Sequence, residues 1–375
     1  MVKKVGILTA GGDCPGLNTV IRGAVKTALY NGVEVYGFLE GYQGLLKDNY
    51  IKLGINEVSG IIHKGGTILK SNNGTNCFAV PEINANGEKV YVDKSEEVAE
   101  MLKREGYDCL IVVGGDGSLK SGRDFMLRGV NVIGVPKTID NDVPFTDVTF
   151  GFNTAVEVAT EAIDRLRTTA ESHGRIMVLE VMGRYAGWIA LCAAIAGGAD
   201  NCLIPEIPYD LNKVVEKINK RKEAGRNYSI IVVAEGAKPK EGTISIREVE
   251  GNSDNAGLDS VKLGGAGAYV AKEIERLTGQ TARSTTLGYI QRGGNTCAYD
   301  RVLSTEYGSL AMELAIEGKF GRMVTMLNGK LQSISLNEVA GTDTQIGAKS
   351  SNLKLVDLNG DLVKTARRVG ICFGD

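Results

Sequence analysis

The sequence predicts an α/β fold: two similar Rossmann-like lobes, each a parallel sheet covered by helices, with an active-site cleft between them. Three observations lead there. Short apolar runs rich in β-branched residues recur, stretches with helical spacing lie between most of them, and four runs lead straight into glycine-rich or charged loops, GGDCPG, GGDGS, MGR and EGA. Strands that are apolar on both faces belong in parallel sheets buried between helices. In such sheets ligands bind beyond the carboxyl ends of the strands, where these loops lie.

In chain order the strand-like runs are Lys4 to Thr9, Glu34 to Leu39, Cys109 to Val113, Val130 to Val135, Ile176 to Val181, Ser229 to Ala234 and Thr285 to Ile290. Each has the length and the bounding turns of a strand. The helical stretches are Asn18 to Tyr30, Ser95 to Glu105, Thr154 to Ala170, Leu211 to Ala224 and Ala266 to Leu277. Run, loop and helix recur in both halves, which suggests two related lobes. No proline-rich or low-complexity linker divides them. The segment from about Asn72 to Asp93 is mostly non-periodic and reads as a surface excursion.

Composition narrows the class. The 375 residues are 43% hydrophobic and 23% charged, which excludes global disorder. Lys and Arg number 43 against 45 Asp and Glu, for a net charge of −2, so no bulk positive field serves a nucleic-acid partner. The 7 cysteines are odd in number and scattered, which fits buried free thiols in a reducing compartment. The only two histidines, His63 and His173, lie far apart, so a His-rich metal site is excluded. The first ten residues lack the long apolar core of a signal peptide, and the longest mostly apolar stretch, Trp188 to Ala199, is too short to cross a bilayer. A cytoplasmic enzyme with no membrane partner is expected. Glycine, at 49 residues, runs at nearly twice its ordinary share of about 7%. Either the chain is rich in linkers or its backbone passes close to a ligand.

Three loops and one dispersed group carry residues of chemical interest. Gly11-Gly12-Asp13-Cys14-Pro15-Gly16-Leu17-Asn18 follows a strand and precedes a helix, so its N–H groups and the helix dipole suit an anion. Its spacing fits neither the dinucleotide nor the Walker pattern, and a tight turn would explain it equally well. Gly114-Gly115-Asp116-Gly117-Ser118 repeats the arrangement, with Ser118 expected at the helix cap and an aspartate placed to hold Mg²⁺ beside phosphate oxygens. Two such loops in one chain point to a polyphosphate. Pro136-Lys137-Thr138-Ile139-Asp140-Asn141-Asp142 offers a carboxylate that can accept a hydroxyl proton during phosphoryl transfer; an Asx-rich turn is the plainer explanation. Arg175, Arg184, Arg283 and Arg292 stand at strand ends, where convergent arginines would grip a phosphate, while Glu235 and Tyr289 supply groups suited to sugar hydroxyls.

In order, GGDCPGLN, GGDGS, PKTIDND, MGR, AEG and LGYIQRGG form a constellation that resembles the 6-phosphofructokinase family from Val5 to about Asp300. PKTIDND and LGYIQRGG together are specific to it; GGDGS alone is not. The resemblance implies transfer from Mg-ATP to the 1-hydroxyl of fructose 6-phosphate. Asp140 then matches the proton acceptor, with Thr138 and Asp142 beside it, and Arg184 stabilises the transferring group. Gly12, Asn73, Gly74, Gly115, Gly117 and Ser118 match donor contacts, and Asp116 matches the residue associated with Mg²⁺. Thr138, Ile139, Asp140, Met182, Gly183, Arg184, Glu235, Tyr289, Ile290, Gln291 and Arg292 match sugar-phosphate contacts. Arg175 and Arg283 match two arginines that reach a neighbouring subunit's substrate, which implies a homodimer or homotetramer. The implied lobes are residues 1–151 plus about 292–350 for the donor, and 152–291 plus about 351–375 for the sugar phosphate.

Two departures bear on the donor. Asn73 stands where relatives usually carry an arginine that faces the donor phosphates. Gly117 resembles users of ATP, whereas Lys137 is what users of pyrophosphate carry; the combination resembles a mixed group whose usual donor is ATP. The alternatives are a pyrophosphate-dependent phosphotransferase, a kinase of a related ketose phosphate, and a non-catalytic sensor.

Overall fold

The computed structural model describes residues 2–240, 264–341 and 352–375. In chain order its elements are β1 (Lys4–Thr9), α1 (Leu17–Tyr30), β2 (Glu34–Phe38), α2 (Tyr42–Leu46), β3 (Tyr50–Leu53), β4 (Val80–Ile83), β5 (Lys89–Val92), α3 (Ser95–Arg104), β6 (Cys109–Gly114) and α4 (Asp116–Leu127). There follow β7 (Val132–Thr138), β8 (Phe150–Gly151), α5 (Phe152–His173), β9 (Ile176–Val181), α6 (Trp188–Ala196), β10 (Asn201–Leu203), α7 (Leu211–Glu223) and β11 (Ser229–Ala234). The chain ends with α8 (Ala266–Thr278), β12 (Ala282–Thr286), a 3₁₀ turn (Gly288–Gln291), α9 (Ala298–Ile316), β13 (Arg322–Leu327), β14 (Lys330–Ser335), α10 (Leu336–Ala340) and α11 (Asp361–Arg368).

Two sheets result. The larger runs β14-β13-β7-β6-β1-β2-β3, with β8 paired to β7, and the smaller runs β10-β11-β9-β12. The smaller sheet is parallel throughout, as is the middle of the larger one; only the edge strands β3 and β14 are antiparallel. β14 follows β13 across a two-residue turn, as a hairpin does, whereas β3 follows β2 through residues 39–49, which hold the short helix α2.

Alternation within each strand explains the layers. In β1 and β6, Ile7, Ile111 and Val113 join a core that continues to Leu179 and Val232 of the second sheet, whereas Leu8, Leu110 and Val112 point to the opposite core. In the second sheet Val178 and Val233 face a third cluster with Val214, Val270 and Ile274 from α7 and α8. The central strands of both sheets are therefore covered on both faces, as the unbroken apolar runs predict. Helix ends follow local chemistry: Asp210 Oδ1 accepts from Asn212 N at 2.8 Å to cap α7, and Gly174 in the left-handed region closes α5. Where α1 crosses α9, a Cβ on Gly308 would lie 2.3 Å from the Val20 carbonyl, so the close approach requires glycine there.

Some expectations change. The run expected from Thr285 to Ile290 is divided: the strand is Ala282–Thr286, and the apolar part belongs to the 3₁₀ turn. The non-periodic segment holds a small hairpin of β4 and β5. All seven cysteines are free thiols. No helix among the described residues is long and apolar enough to cross a membrane.

Candidate active site

Six loops leave the carboxyl ends of six strands. In the larger sheet β7, β6 and β1 are neighbours, and they lead into residues 139–149, the Gly115 turn and the Gly11 loop. In the smaller sheet β11, β9 and β12 are neighbours, and they lead into Glu235, the Met182–Arg184 turn and the 3₁₀ turn before Arg292. The two sets meet. Arg292 Nη1 donates to the Asp13 carbonyl at 2.9 Å, joining a loop of one sheet to a loop of the other across 279 residues of sequence.

On the side of the larger sheet, Lys137 is buried and its Nζ donates to the Gly12 carbonyl at 2.5 Å. Burial lowers the Lys137 ammonium below its ordinary value, and the charge of Arg292 adds to that lowering. Ser71 Oγ donates to the Gly11 carbonyl, and Asn72 Oδ1 accepts from Gly74 N at 2.6 Å. Asn73 and Gly74 thus sit exposed beside the first glycine loop. The helix cap after β6 is Gly115, not Ser118. The helix starts directly at the strand end, so Asp116, Gly117 and Ser118 form its first turn, and a Cβ on Gly114 would strike Ser118. A Cβ on Gly117 would meet open space within 4 Å.

The third loop carries the two carboxylates. Thr138 Oγ1 accepts from Asp140 N at 3.0 Å, and Thr149 Oγ1 donates to the Thr138 carbonyl at 2.8 Å. Asn141 between them is buried with φ of 53°, and its Oδ1 accepts from Thr149 N at 3.0 Å. Asn141 turns the backbone so that Asp140 and Asp142 flank it. Sequence reading assigned Asn141 nothing, although an asparagine inside an acidic turn is the residue type that tolerates positive φ. Ile139 is fully buried in the core, so its side chain faces no ligand.

Electrostatics binds these groups together. Burial raises the Asp140 carboxyl, while Arg292, Lys137 and Arg184 pull it down again. Burial also raises Asp142, to about 7, and the negative charges of Asp140 and Asp116 add to it. The two carboxyls therefore titrate as a pair, and burial raises both. Asp140 Oδ1 is buried without a hydrogen-bond partner among the described residues. Glu235 is pushed to about 7 by burial, then by Asp140 and Glu180, against Arg292 and Arg184.

The smaller sheet places the expected sugar-phosphate residues unevenly. Gly183 has φ of 136° and a Cβ there would lie 2.8 Å from the Ala186 carbonyl, so only glycine makes this turn. The Arg184 guanidinium lies over the Tyr185 ring at 5.3 Å. Tyr289 and Ile290 are exposed. Gln291, expected to face substrate, is fully buried: its Oε1 accepts from Met182 N at 2.7 Å and its Nε2 donates to the Ala155 carbonyl at 3.3 Å. It braces the Met182 turn because an amide in the interior must satisfy both of its ends. Glu180, a charge inside a buried strand and not singled out by sequence, accepts from Gly265 N and Gly267 N at the start of α8.

Arg175 and Arg283 lie elsewhere. Arg175 precedes the first residue of β9, and Arg283 is in register with Met177 on the neighbouring strand, at the end opposite Met182. At roughly 3.3 Å per residue, the length of β9 puts Arg175 about 20 Å, and Arg283 about 17 Å, from the cleft end of their own chain. Arg283 pairs there with Glu275 at 3.0 Å.

A match to the phosphofructokinase family runs through residues 4–315. The ATP-dependent 6-phosphofructokinase 2 of Clostridium perfringens (strain 13 / Type A) is 54% identical over 376 residues, covering 100% of this chain and 99% of its own. The ATP-dependent 6-phosphofructokinase of Spirochaeta thermophila is 44% identical over 371 residues, covering 99% of this chain and 97% of its own. Among solved structures, Pichia pastoris phosphofructokinase in the T-state aligns with a TM-score of 0.75 at 30% identity over 91% of this chain, which spans 35% of the yeast chain. The pyrophosphate-dependent phosphofructokinase of Marinobacter aquaeolei aligns with a TM-score of 0.77 at 23% identity, over 99% of this chain and 88% of its own, a likeness of fold. The chain belongs to the phosphofructokinase family.

Proposed function

We propose that the protein transfers the terminal phosphoryl group of Mg-ATP to the 1-hydroxyl of fructose 6-phosphate, giving fructose 1,6-bisphosphate in glycolysis. The observation that carries this reading is Asp140: a buried carboxylate with an unpartnered Oδ1, set among Arg292, Lys137 and Arg184. Such a group accepts a hydroxyl proton as the oxygen attacks, and the surrounding cations absorb the charge that develops on the transferring group. Relatives 44% to 54% identical are named for ATP, and the open space at Gly117 suits a nucleotide phosphate.

Residue by residue, Asp140 takes the proton and Thr138 and Asp142 hold its loop. Arg184 faces the transferring phosphoryl group. Gly12, Asn73, Gly74, Gly115, Gly117 and Ser118 line the donor side. Met182, Gly183, Glu235, Tyr289, Ile290 and Arg292 line the sugar side, with Gln291 behind them. The residues present suit Mg²⁺: the charges of Asp140 and Asp116 both bear on Asp142, and among the described residues no three such side chains are grouped closely enough to hold an ion by themselves. That is the donor set of an ion held by one carboxylate, here Asp116, and by substrate phosphates. When bound, Mg²⁺ would neutralise charge on the donor phosphates.

The lobes would be residues 1–151 plus about 292–350 and 152–291 plus about 351–375, in the cytoplasm. The boundary at 350 and 351 lies outside the described residues. Arg175 and Arg283, remote from their own cleft, would serve the sugar phosphate of a partner subunit in a homodimer or homotetramer. The test is an aldolase-coupled assay with fructose 6-phosphate and Mg²⁺. Turnover with ATP is expected; turnover with pyrophosphate alone would refute the donor assignment.

A further inference from the structure

The short segment 353–356 has no regular secondary structure, yet it fastens the acidic loop after β7 to the arginine turn after β9. Towards the acidic loop, Lys354 N donates to the Asp142 carbonyl at 2.9 Å. Lys354 Nζ donates to the carbonyls of Thr146 and Asp147 at 2.9 and 2.6 Å. Towards the other sheet, the Lys354 carbonyl accepts from Trp188 Nε1 at 2.8 Å, and Lys354 Nζ lies 5.3 Å from the Trp188 ring centroid. Val356 N donates to Glu206 Oε1 at 2.9 Å, and the same carboxylate accepts from Gly187 N, the cap of α6, at 3.0 and 3.1 Å. Gly187 ends the turn that carries Arg184.

We infer that Lys354 is a positioning residue for phosphoryl transfer, holding the Asp140–Asp142 loop in register with the Arg184 turn through a strap that ends on Trp188 and Glu206. The inference rests on the roles proposed for Asp140 and Arg184. Its physical basis is that the base and the cation belong to different sheets, so their separation depends on whatever spans the two. A charged donor on two main-chain carbonyls is a strong link, and one ammonium here serves both while its own carbonyl is held from the opposite side. Burial lowers the Lys354 ammonium to about 8 against the charges of Asp147, Asp142 and the nearby Cys192, as expected for a cation drawn out of water into that link.

The test uses the full-length enzyme with saturating ATP and fructose 6-phosphate. Lys354→Met keeps the stem and removes the donor, and it is expected to lower kcat about 10- to 100-fold with both KM values within roughly threefold, the pattern of a misplaced reacting group. Trp188 is the only tryptophan of the chain, so its emission reports on the strap directly and is expected to shift in the same variant. Lys354→Arg, which retains charge and donors, should recover most of kcat. Trp188→Phe cuts the strap from the other side and should lower kcat with the same sparing of KM; it is the reading to use if Lys354→Met does not fold. Wild-type kcat in folded Lys354→Met or in Trp188→Phe overturns the inference, as does a loss confined to melting temperature. Asp140→Asn in the same assay separates the two readings. Near-normal turnover there removes Asp140 from the chemistry, whereas its loss beside normal turnover in Lys354→Met removes only the strap.

Discussion

The Lys137 ammonium is buried against the Gly12 carbonyl at 2.5 Å, and this bond ties the end of β7 to the first glycine loop. A lysine read from sequence as a mark of donor choice thus also acts as a clip on the loop that would face the donor. Lys137→Met removes a charge-assisted hydrogen bond to a part-buried carbonyl, at a cost of about 1–3 kcal/mol. Steady-state kinetics should show KM for ATP rising several-fold more than KM for fructose 6-phosphate. Equal rises in both would place the effect on the general fold.

Gly117 tests the donor from the other direction. A side chain there meets open space, so Gly117→Asp should fold normally. Its carboxylate would lie where a nucleotide phosphate is proposed to sit, and like charges at close range repel. kcat/KM for ATP is expected to fall at least about 100-fold, roughly 3 kcal/mol, with melting temperature unchanged. Undiminished use of ATP would show that the nucleotide does not approach this turn.

Glu235 makes a prediction about pH. Its carboxyl is raised to about 7 from an ordinary 4.5, burial being the main cause. The folded protein therefore binds a proton that the unfolded chain has lost, and stability falls as pH rises through that window. At pH 8, Glu235→Gln should raise the melting temperature by a few degrees. If the ionised form accepts sugar hydroxyls, KM for fructose 6-phosphate in the wild type should climb as pH drops below about 7, and the Gln variant should lose that limb. A pH-independent KM in the wild type would take Glu235 out of sugar binding.

Arg283 and Arg175 stand at the wrong end of their strands for their own cleft, and complementation can test their proposed role. Arg283→Ala and Asp140→Asn should each be poorly active at low fructose 6-phosphate. Co-expressed as a dimer with two shared sites, they should regain up to about a quarter of wild-type activity, because one site of each mixed dimer is whole. No recovery in mixed oligomers would mean that both residues act within one chain.

The legible parts of the molecule are those governed by one local rule. Ile176–Val181 and Ser229–Ala234 could be read to the residue, because a strand buried on both faces is an unbroken apolar run. Ala282–Thr286 could not, since it is an edge strand made of arginine, serine and threonine, exposed after its first residue. The apolar residues beside it drew the expectation into the 3₁₀ turn. The same limit applies within the site. Asp140, Arg184 and Glu235 stand at strand ends, as the loops suggested, and electrostatics links all three. Gln291 belongs to the same motif as Arg292 but faces inward to brace Met182. A one-residue step along a 3₁₀ turn swings the side chain by about 120°, and pattern alone does not fix which residue points to the cleft. The parts played by Asn141 and Lys354 depend on contacts that the chain makes only when folded.

The most direct test is kcat of Asp140→Asn with saturating ATP and fructose 6-phosphate, measured through aldolase. The substitution preserves shape and removes the proton acceptor. The account predicts a fall of about 10²- to 10⁴-fold with KM for both substrates within a few-fold of wild type. Turnover within about tenfold of wild type would contradict it, because the reaction would then proceed without the carboxylate on which the whole site converges.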